Sequence, residues 1–139
     1  MLPVTVSALN ELLASYPFTK RLGASVSEIG DGLCVLEVPY NAENDRPGDI
    51  VSGQVYMHAA DVAFWLSIKT KLGMDDCSVT SSMTTAFLAS ARREGFCCRA
   101  TVLRVGGRLI FGVAECESAG RILTHHTLSY ARANPGAPR

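Results

Sequence analysis

An acidic residue lies inside the most apolar segment of the chain. Asp61 stands in the run Met57–Trp65, directly between Ala60 and Val62. An ionised carboxylate that is buried without a partner is costly, so this side chain must be hydrogen-bonded, stay protonated or face a cleft. A carboxylate in a cleft is a frequent general base. A structural aspartate would instead bond a backbone group or an arginine, and the residue types leave both interpretations open.

Potential partners of Asp61 lie within one helical turn. His58 would share a helix face with Asp61, because residues three apart are neighbours on a helix, and it could hold the carboxylate or touch a substrate. A single histidine on an apolar helix is more often a core residue. Trp65, Phe64 and Met57 could line an aromatic pocket, and they could equally belong to the core.

The start of the same segment offers a second kind of chemistry. Ser52 is a candidate N-cap, and Gly53 would let a ligand approach free backbone N–H groups at Gly53 and Gln54. The N-terminus of a helix combines unpaired donors with the positive end of the helix dipole, which suits an oxyanion or a phosphate.

Basic residues gather at two predicted turns. Arg92 and Arg93 occupy one of them, and Arg108 follows the pair Gly106-Gly107 in the other. Cations at these positions could hold a phosphate-bearing substrate tail, or they could belong to a solvated surface.

The sequence shows no metal-ligand pattern. His125 and His126 are adjacent, so on a strand they point to opposite faces, and we expect one of them to be solvent-exposed. The five cysteines have neither CxxC nor Cys/His ligand spacing. Small apolar cysteines on strands are common in reducing compartments, so we expect a cytoplasmic protein without a metal.

Composition excludes several classes of protein. The chain has 139 residues, which predicts a single domain spanning 1–139, and 47% hydrophobic content argues against disorder. Thirteen basic residues balance thirteen acidic ones, so nothing favours binding to nucleic acid or to an anionic membrane. Neither a signal peptide nor a transmembrane segment is predicted.

The elements that must position these residues form an α+β pattern. A short helix is predicted over residues 7–16, with Ser7 as its cap and Pro17 as its stop. One long helix is predicted from Gly53 to about Leu72, and residues 41–49 read as an exposed polar loop. The tail, about 133–139, is predicted to be disordered. About six strands complete an antiparallel sheet, at Leu22–Ile29, Leu33–Pro39, Cys77–Leu88, Phe96–Val105, Arg108–Glu117 and Arg121–Ala131.

Together these features resemble the hotdog-fold acyl-CoA thioesterases of the phenylacetate-pathway and hydroxybenzoyl-CoA thioesterase branch. In that family the acidic residue stands nine positions after the histidine that opens the central helix, and Asp61 stands nine positions after Ser52. Ser52 replaces that histidine, and Gln54 replaces a glycine. The matching segments are PFTKRLG, VSGQ, HAADVAFW, VTSSMTTAFLAS and RVGGRLIFGVAE.

The resemblance implies a hotdog fold, in which an antiparallel sheet wraps one long helix, and it implies thioester hydrolysis. Asp61 would act as general base or nucleophile, the N–H groups near Gly53 and Gln54 would bind the oxyanion, and Thr80 would position water. No cofactor is implied beyond the coenzyme A of the substrate. Residues expected to bind the substrate are Ser52, His58, Trp65, Arg92, Arg93, Gly107 and Arg108.

The resemblance also implies self-association. In hotdog proteins two subunits pair their sheets edge to edge, the site lies between the two long helices, and dimers often pair into tetramers. The main alternative is a non-catalytic acyl-CoA binding or sensor protein on the same fold, which Ser52 and Gln54 favour and Asp61 opposes. A hydratase ranks last, because His58 precedes Asp61 on the same helix.

Overall fold

The computed structural model describes residues 1–133, which form two short helices, a long helix and eight strands. The first helix is capped by Thr5, whose hydroxyl accepts a hydrogen bond from the N–H of Ala8. The helices are α1 Val6–Ser15, α2 Pro17–Lys20 and α3 Gly53–Leu72, with a short 3-10 turn at Ala42–Asn44. The strands are β1 Ser25–Gly30, β2 Leu33–Val38, β3 Asp45–Arg46, β4 Ile50–Val51, β5 Val79–Phe87, β6 Phe96–Val105, β7 Leu109–Ser118 and β8 Arg121–Ala131.

Six of these strands form one antiparallel sheet in the order β1-β2-β6-β7-β8-β5. Helix α3 packs against the inner face of this sheet, and most of its side chains after the second turn are buried. This arrangement confirms the predicted α+β hotdog architecture. Strands β1 and β5 form the two edges of the sheet, so β5 pairs along one side only, with β8.

The close approach of α3 to the sheet depends on a glycine. Phe64 is fully buried on α3, and its ring lies against Gly112 of β7. Phe64 therefore belongs to the core, whereas Met57, two turns earlier on the helix, is exposed by 38%.

The structure corrects three local predictions. Ser7 is not the cap of the first helix; Thr5 is, because its hydroxyl stands three residues before the free N–H of Ala8. Pro17 stops α1 but also opens α2, since its fixed φ suits a first helical position, and the next strand begins only at Ser25. The segment 41–49 is not entirely loop, because β3 pairs with β4 in a small hairpin.

The other element boundaries agree with prediction to within two residues, and α3 spans Gly53–Leu72 as expected. Most of the predicted tail, 134–139, lies outside the described residues. Across the described part of the chain, we find no helix that combines the length and the apolarity needed to cross a membrane.

Candidate active site

Asp61 faces a cleft. Its side chain is half-buried on the third turn of α3, where the helix passes the start of β5 and the end of β8. The cleft has a volume of about 180 Å³ and is lined by Phe18, Asp61, Val62, Trp65, Ser78, Val79, Thr80 and Tyr130. The sequence left open whether Asp61 is a hydrogen-bonded structural residue or a carboxylate in a cleft. In the structure its carboxylate is hydrogen-bonded and also open to a cleft.

The two oxygens of the Asp61 carboxylate are in different environments. Oδ1 accepts a hydrogen bond from the Thr80 hydroxyl, with 2.7 Å between the oxygens. The Tyr130 hydroxyl also lies 2.7 Å from Oδ1, and it lies 2.9 Å from the backbone carbonyl oxygen of Asp61. Within residues 1–133 no protein group bonds Oδ2, and Oδ2 is not a buried atom. One oxygen is therefore held by the protein, and the other is available to a ligand or to water.

The register of the sheet brings the two hydroxyls together. Thr80 on β5 stands directly opposite Tyr130 on β8. The pairing becomes irregular between Thr80 and Ser82, and such bulges often re-aim a side chain beside an active site. Burial and the neighbouring Asp61 carboxylate both raise the pKa of Tyr130, so its hydroxyl keeps its proton and can donate it in a hydrogen bond at neutral pH.

Tyr130 is a site residue that sequence reasoning missed. Its position carries a signal, because alternate residues of β8 point inward, among them His126, Leu128 and Tyr130. A tyrosine on a buried face must find a hydrogen-bond partner for its hydroxyl. The identity of that partner depends on the pairing of β8 with β5, which the sequence alone does not give.

The far wall of the cleft is aromatic. The rings of Phe18 and Trp65 lie 5.8 Å apart at a tilted angle, and the Lys69 ammonium lies 5.1 Å from the centre of the Trp65 ring. Trp65, which the sequence named as a candidate substrate-binding residue, lines this cleft, and so does Phe18 of α2, which was not predicted.

The start of α3 is a second candidate site. Ser52 occupies the N-cap position, but its side chain makes no capping hydrogen bond. Among the described residues, none accepts a hydrogen bond from the N–H groups of Gly53 and Gln54. The ring of Phe87 lies against Gly53, where an added Cβ would stand 2.8 Å from the ring.

His58 does not hold the Asp61 carboxylate. It lines a separate cleft of about 230 Å³ together with Gln54 and Asn44, and no hydrogen bond joins it to Asp61. Burial lowers the pKa of His58, which favours the neutral imidazole.

The basic residues lie apart from Asp61 within one chain. Arg92 donates to the carbonyl oxygen of Gly48 over 2.9 Å, and Arg93 lies 3.3 Å from Asp49, so both tie down the loop between β3 and β4. Gly107 and Arg108 border a third cleft, beyond the C-terminal end of α3.

The two adjacent histidines behave as predicted. His125 is half-exposed and lies 2.7 Å from the Glu115 carboxylate on the outer face of the sheet, whereas His126 is fully buried between Thr85 and Thr124. In the described portion of the chain, no three His, Cys, Asp or Glu side chains gather in a way that could hold a metal ion.

Comparison with known proteins identifies related sequences. The sequence profile described as the Thioesterase superfamily matches residues 48–124, which include the loop before α3, Asp61, Thr80 and most of the sheet. A proposed esterase of Saccharolobus solfataricus is 30% identical over 100 residues, covering 72% of this chain and 71% of that protein.

Solved structures share the fold at lower identity. A thioesterase from Haemophilus influenzae superposes with a TM-score of 0.87 at 18% identity, covering 96% of this chain and 94% of that one. A proposed thioesterase from Ralstonia eutropha, described as related to phenylacetic acid degradation, gives a TM-score of 0.79 at 17% identity, covering 88% and 98%. The matching profile, the related sequence and the shared fold lead to one conclusion: the chain belongs to the thioesterase superfamily and is a hotdog-fold thioester hydrolase.

Proposed function

We propose that the protein is an acyl-CoA thioesterase that hydrolyses a CoA thioester to the free acid and CoA, with Asp61 as its reactive carboxylate. The observation that carries this proposal is the asymmetry of that carboxylate: Oδ1 is held by Thr80 and Tyr130, while Oδ2 is free in a cleft with an aromatic wall. A fixed carboxylate with one free oxygen can accept a proton from water or attack a carbonyl carbon.

The proposed hydrolysis uses only water, the thioester and the Asp61 carboxylate. As a general base, Oδ2 of Asp61 removes a proton from water while the water oxygen attacks the thioester carbonyl carbon. The C–S bond then breaks, and the CoA thiolate leaves and takes up a proton. As a nucleophile, Oδ2 would attack the thioester carbonyl carbon, and the C–S bond would break with release of the CoA thiolate. Water would then hydrolyse the resulting mixed anhydride to the free acid and the Asp61 carboxylate. Thr80, already bonded to Oδ1, can still accept a hydrogen bond from that water.

The oxyanion of this reaction needs donors that one chain cannot bring to its own Asp61. The free N–H groups of Gly53 and Gln54 suit the developing charge. At helical rise, however, the eight positions from Gly53 to Asp61 span roughly 12 Å along α3, too far for both to act on one carbonyl group. The proposed site therefore combines Asp61 of one chain with the helix start of a second copy.

The two ends of strand β5 lie at the two parts of the proposed site. It begins at the Asp61 cleft, where Thr80 bonds the carboxylate, and it ends at Phe87, whose ring lies against Gly53. Its outer edge is unpaired in the described structure. If two copies pair antiparallel along this edge, the start of one β5 lies beside the end of the other, and Asp61 approaches the partner's helix start.

The composition of β5 fits such pairing. Monomeric proteins usually protect an open edge strand with charges or proline. Ser78–Ala91 contains neither a charged residue nor a proline. Phe87 and the adjacent Leu88 are exposed by 56% and 63%, apolar surface that a partner would cover. We therefore propose a homodimer, with further pairing into a tetramer, as the functional unit.

The remaining predicted residues would hold the coenzyme A portion. Gly107 and Arg108 border a cleft that is also lined by Arg132, Asp75 and Asp76, and its two arginines could pair with phosphate groups. A CoA ester substrate would place the protein in the cytoplasm.

The decisive test is release of CoA thiol from acetyl-, hexanoyl-, palmitoyl-, benzoyl- and phenylacetyl-CoA by the wild type and by Asp61→Asn. Because asparagine is nearly isosteric but not basic, we expect the variant to be about a hundred- to ten-thousandfold slower. An unchanged thermal unfolding temperature would show that the variant is folded.

Two results would contradict the proposal. Binding of the CoA esters without turnover by the wild type would identify a sensor protein. Turnover that persists in folded Asp61→Asn would assign the chemistry to another residue.

The shared site is tested separately with Ser82→Lys, which adds a charge to the edge of β5. We expect light scattering to show a lower molecular mass for this variant. We also expect its rate of CoA thiol release to fall. Ser25→Lys on the opposite edge strand β1 is the matched control and should change neither. A monomeric wild type with full activity would refute the shared site.

A further inference from the structure

We propose that Tyr130 is a positioning residue: its hydroxyl fixes the Asp61 carboxylate so that Oδ2, and not Oδ1, meets the substrate. This inference rests on the proposed function, because it concerns the same carboxylate. It assigns a role to a residue on the last strand of the sheet that neither the motifs nor the spacing of the sequence singled out.

The first observation is that the Tyr130 hydroxyl touches Asp61 at two points. It lies 2.7 Å from Oδ1 and 2.9 Å from the backbone carbonyl oxygen of the same residue. A carboxylate otherwise turns about its last side-chain torsion with a broad preference, which would exchange Oδ1 and Oδ2. A group anchored beside both the backbone and one oxygen of Asp61 restrains that rotation.

The second observation is that Tyr130 is itself held rigidly. Its side chain is buried, and its ring packs edge-on against Phe64 with 5.3 Å between ring centres. Phe64 is in turn fully buried against Gly112 of the central strand β7. The position of the hydroxyl is therefore set by the core of the protein.

The third observation is a contrast with Thr80. Thr80 bonds the same Oδ1, but its side chain is short and it lies beside an irregularity in the pairing of β5 with β8. Tyr130 lies on β8, which is paired on both sides, by β7 and by β5. Of the two donors, Tyr130 has the firmer support, so its loss should release the carboxylate to a greater extent.

The test is Tyr130→Phe, which removes only the hydroxyl and keeps the ring against Phe64. Since misplacement of a reacting group by about 1 Å can cost on the order of a hundredfold in rate, we expect kcat to fall by about ten- to a hundredfold. KM should stay within about twofold, because the hydroxyl bonds Asp61.

Tyr56→Phe is the matched control. Tyr56 is also a buried tyrosine, but its hydroxyl accepts a hydrogen bond from the N–H of Ala91 and does not contact Asp61. We expect this variant to keep its kcat within about twofold even if it unfolds at a lower temperature. An equal loss of kcat in both variants would indicate a general effect of losing a buried hydroxyl and would overturn the proposal.

A second comparison separates positioning from a purely structural role. If Tyr130 acts through the carboxylate, adding Tyr130→Phe to Asp61→Asn should leave the residual rate of that variant unchanged. A further slowing by the same factor as in the wild type would show that Tyr130 acts independently of Asp61 and would refute positioning.

The outcomes also keep the two proposals apart. If the wild type turns over none of the five CoA esters, both the proposed function and the role of Tyr130 fall. If the wild type is active, depends on Asp61 and loses nothing on Tyr130→Phe, only the positioning role is wrong.

Discussion

The ring of Phe64 on the central helix occupies the space that a side chain at Gly112 would need. A Cβ atom added to Gly112 would lie 2.3 Å from Phe64 Cε1 and 2.3 Å from the carbonyl oxygen of Thr101 on the neighbouring strand. Contacts this short cannot exist, so the helix can lie this close to the sheet only because residue 112 has no side chain. The ring of Phe64 also packs against Tyr130, whose hydroxyl bonds Asp61.

We therefore predict that Gly112→Ala destabilises the protein by about 2 kcal/mol, the usual scale for forcing an extra group into a packed core. Urea unfolding followed by circular dichroism measures this. Gly30→Ala is the control, because an added Cβ there meets only ordinary contacts at 3.5 Å. Equal stability of the two variants would show that α3 moves away from the sheet without cost.

A second prediction concerns Thr80→Val, which keeps the shape of the side chain but removes one donor to Asp61 Oδ1. A hydrogen bond to a charged group is worth about 1.5–3 kcal/mol, so kcat should fall by about tenfold, the low end of the loss expected for Tyr130→Phe. Thr84→Val on the same strand is the control, since Thr84 is exposed and pairs with Thr127 away from Asp61. An unchanged kcat for Thr80→Val would assign the carboxylate's orientation to Tyr130 alone.

A third prediction addresses the aromatic wall of the cleft. Phe18→Ala removes the ring that packs on Trp65 and should lower kcat/KM for benzoyl- and hexanoyl-CoA by about tenfold, in line with the free energy of an apolar contact of 1–3 kcal/mol. Acetyl-CoA is too small to reach this wall and should be affected less. Phe111→Ala, which removes an exposed ring of β7 that does not line this cleft, is the control. A uniform loss over all acyl groups would mean that the wall does not contact the acyl chain.

A fourth prediction follows from the burial of His58, which lowers its pKa below the value of 6.5 that it has in the unfolded chain. The folded state then favours the neutral ring. This contribution to stability is complete above about pH 6.5 and is lost as the pH falls towards the lowered pKa of the folded state. The wild type should therefore lose more stability than His58→Gln between about pH 7.5 and about pH 5. Parallel pH dependences in urea unfolding would exclude His58 as the cause.

The sequence predicted the elements well because each carries a local signal. The uninterrupted run from Gly53 to Leu72 lacks proline and internal glycine, so it forms one helix, and the β-branched segments with glycine turns form the strands at nearly the predicted positions. One error fell where a local choice depended on a single hydrogen bond, since Thr5 instead of Ser7 caps α1.

Asp61 was identifiable from the sequence because it is a charged residue in an apolar helix. An acidic residue in an apolar helix conflicts with burial, and that conflict is visible in the residue types alone. Trp65 one turn later was named as well, although its role could not be separated from those of Phe64 and Met57. Burial decides among these three residues, and burial depends on which part of α3 the rest of the fold covers.

Only the tertiary structure decided which groups surround that carboxylate. Thr80 and Tyr130 are 50 positions apart in sequence, yet the register of β5 against β8 places them opposite each other and aims both hydroxyls at one oxygen of Asp61. Phe18 reaches the cleft because Pro17 turns the chain into a second helix. Such contacts arise from strand pairing and chain reversal over long separations, for which no local pattern of residues is sufficient. Composition and periodicity thus determined the helix, the strands and the position of the acidic residue, and packing determined the hydrogen bonds that hold its carboxylate in the cleft.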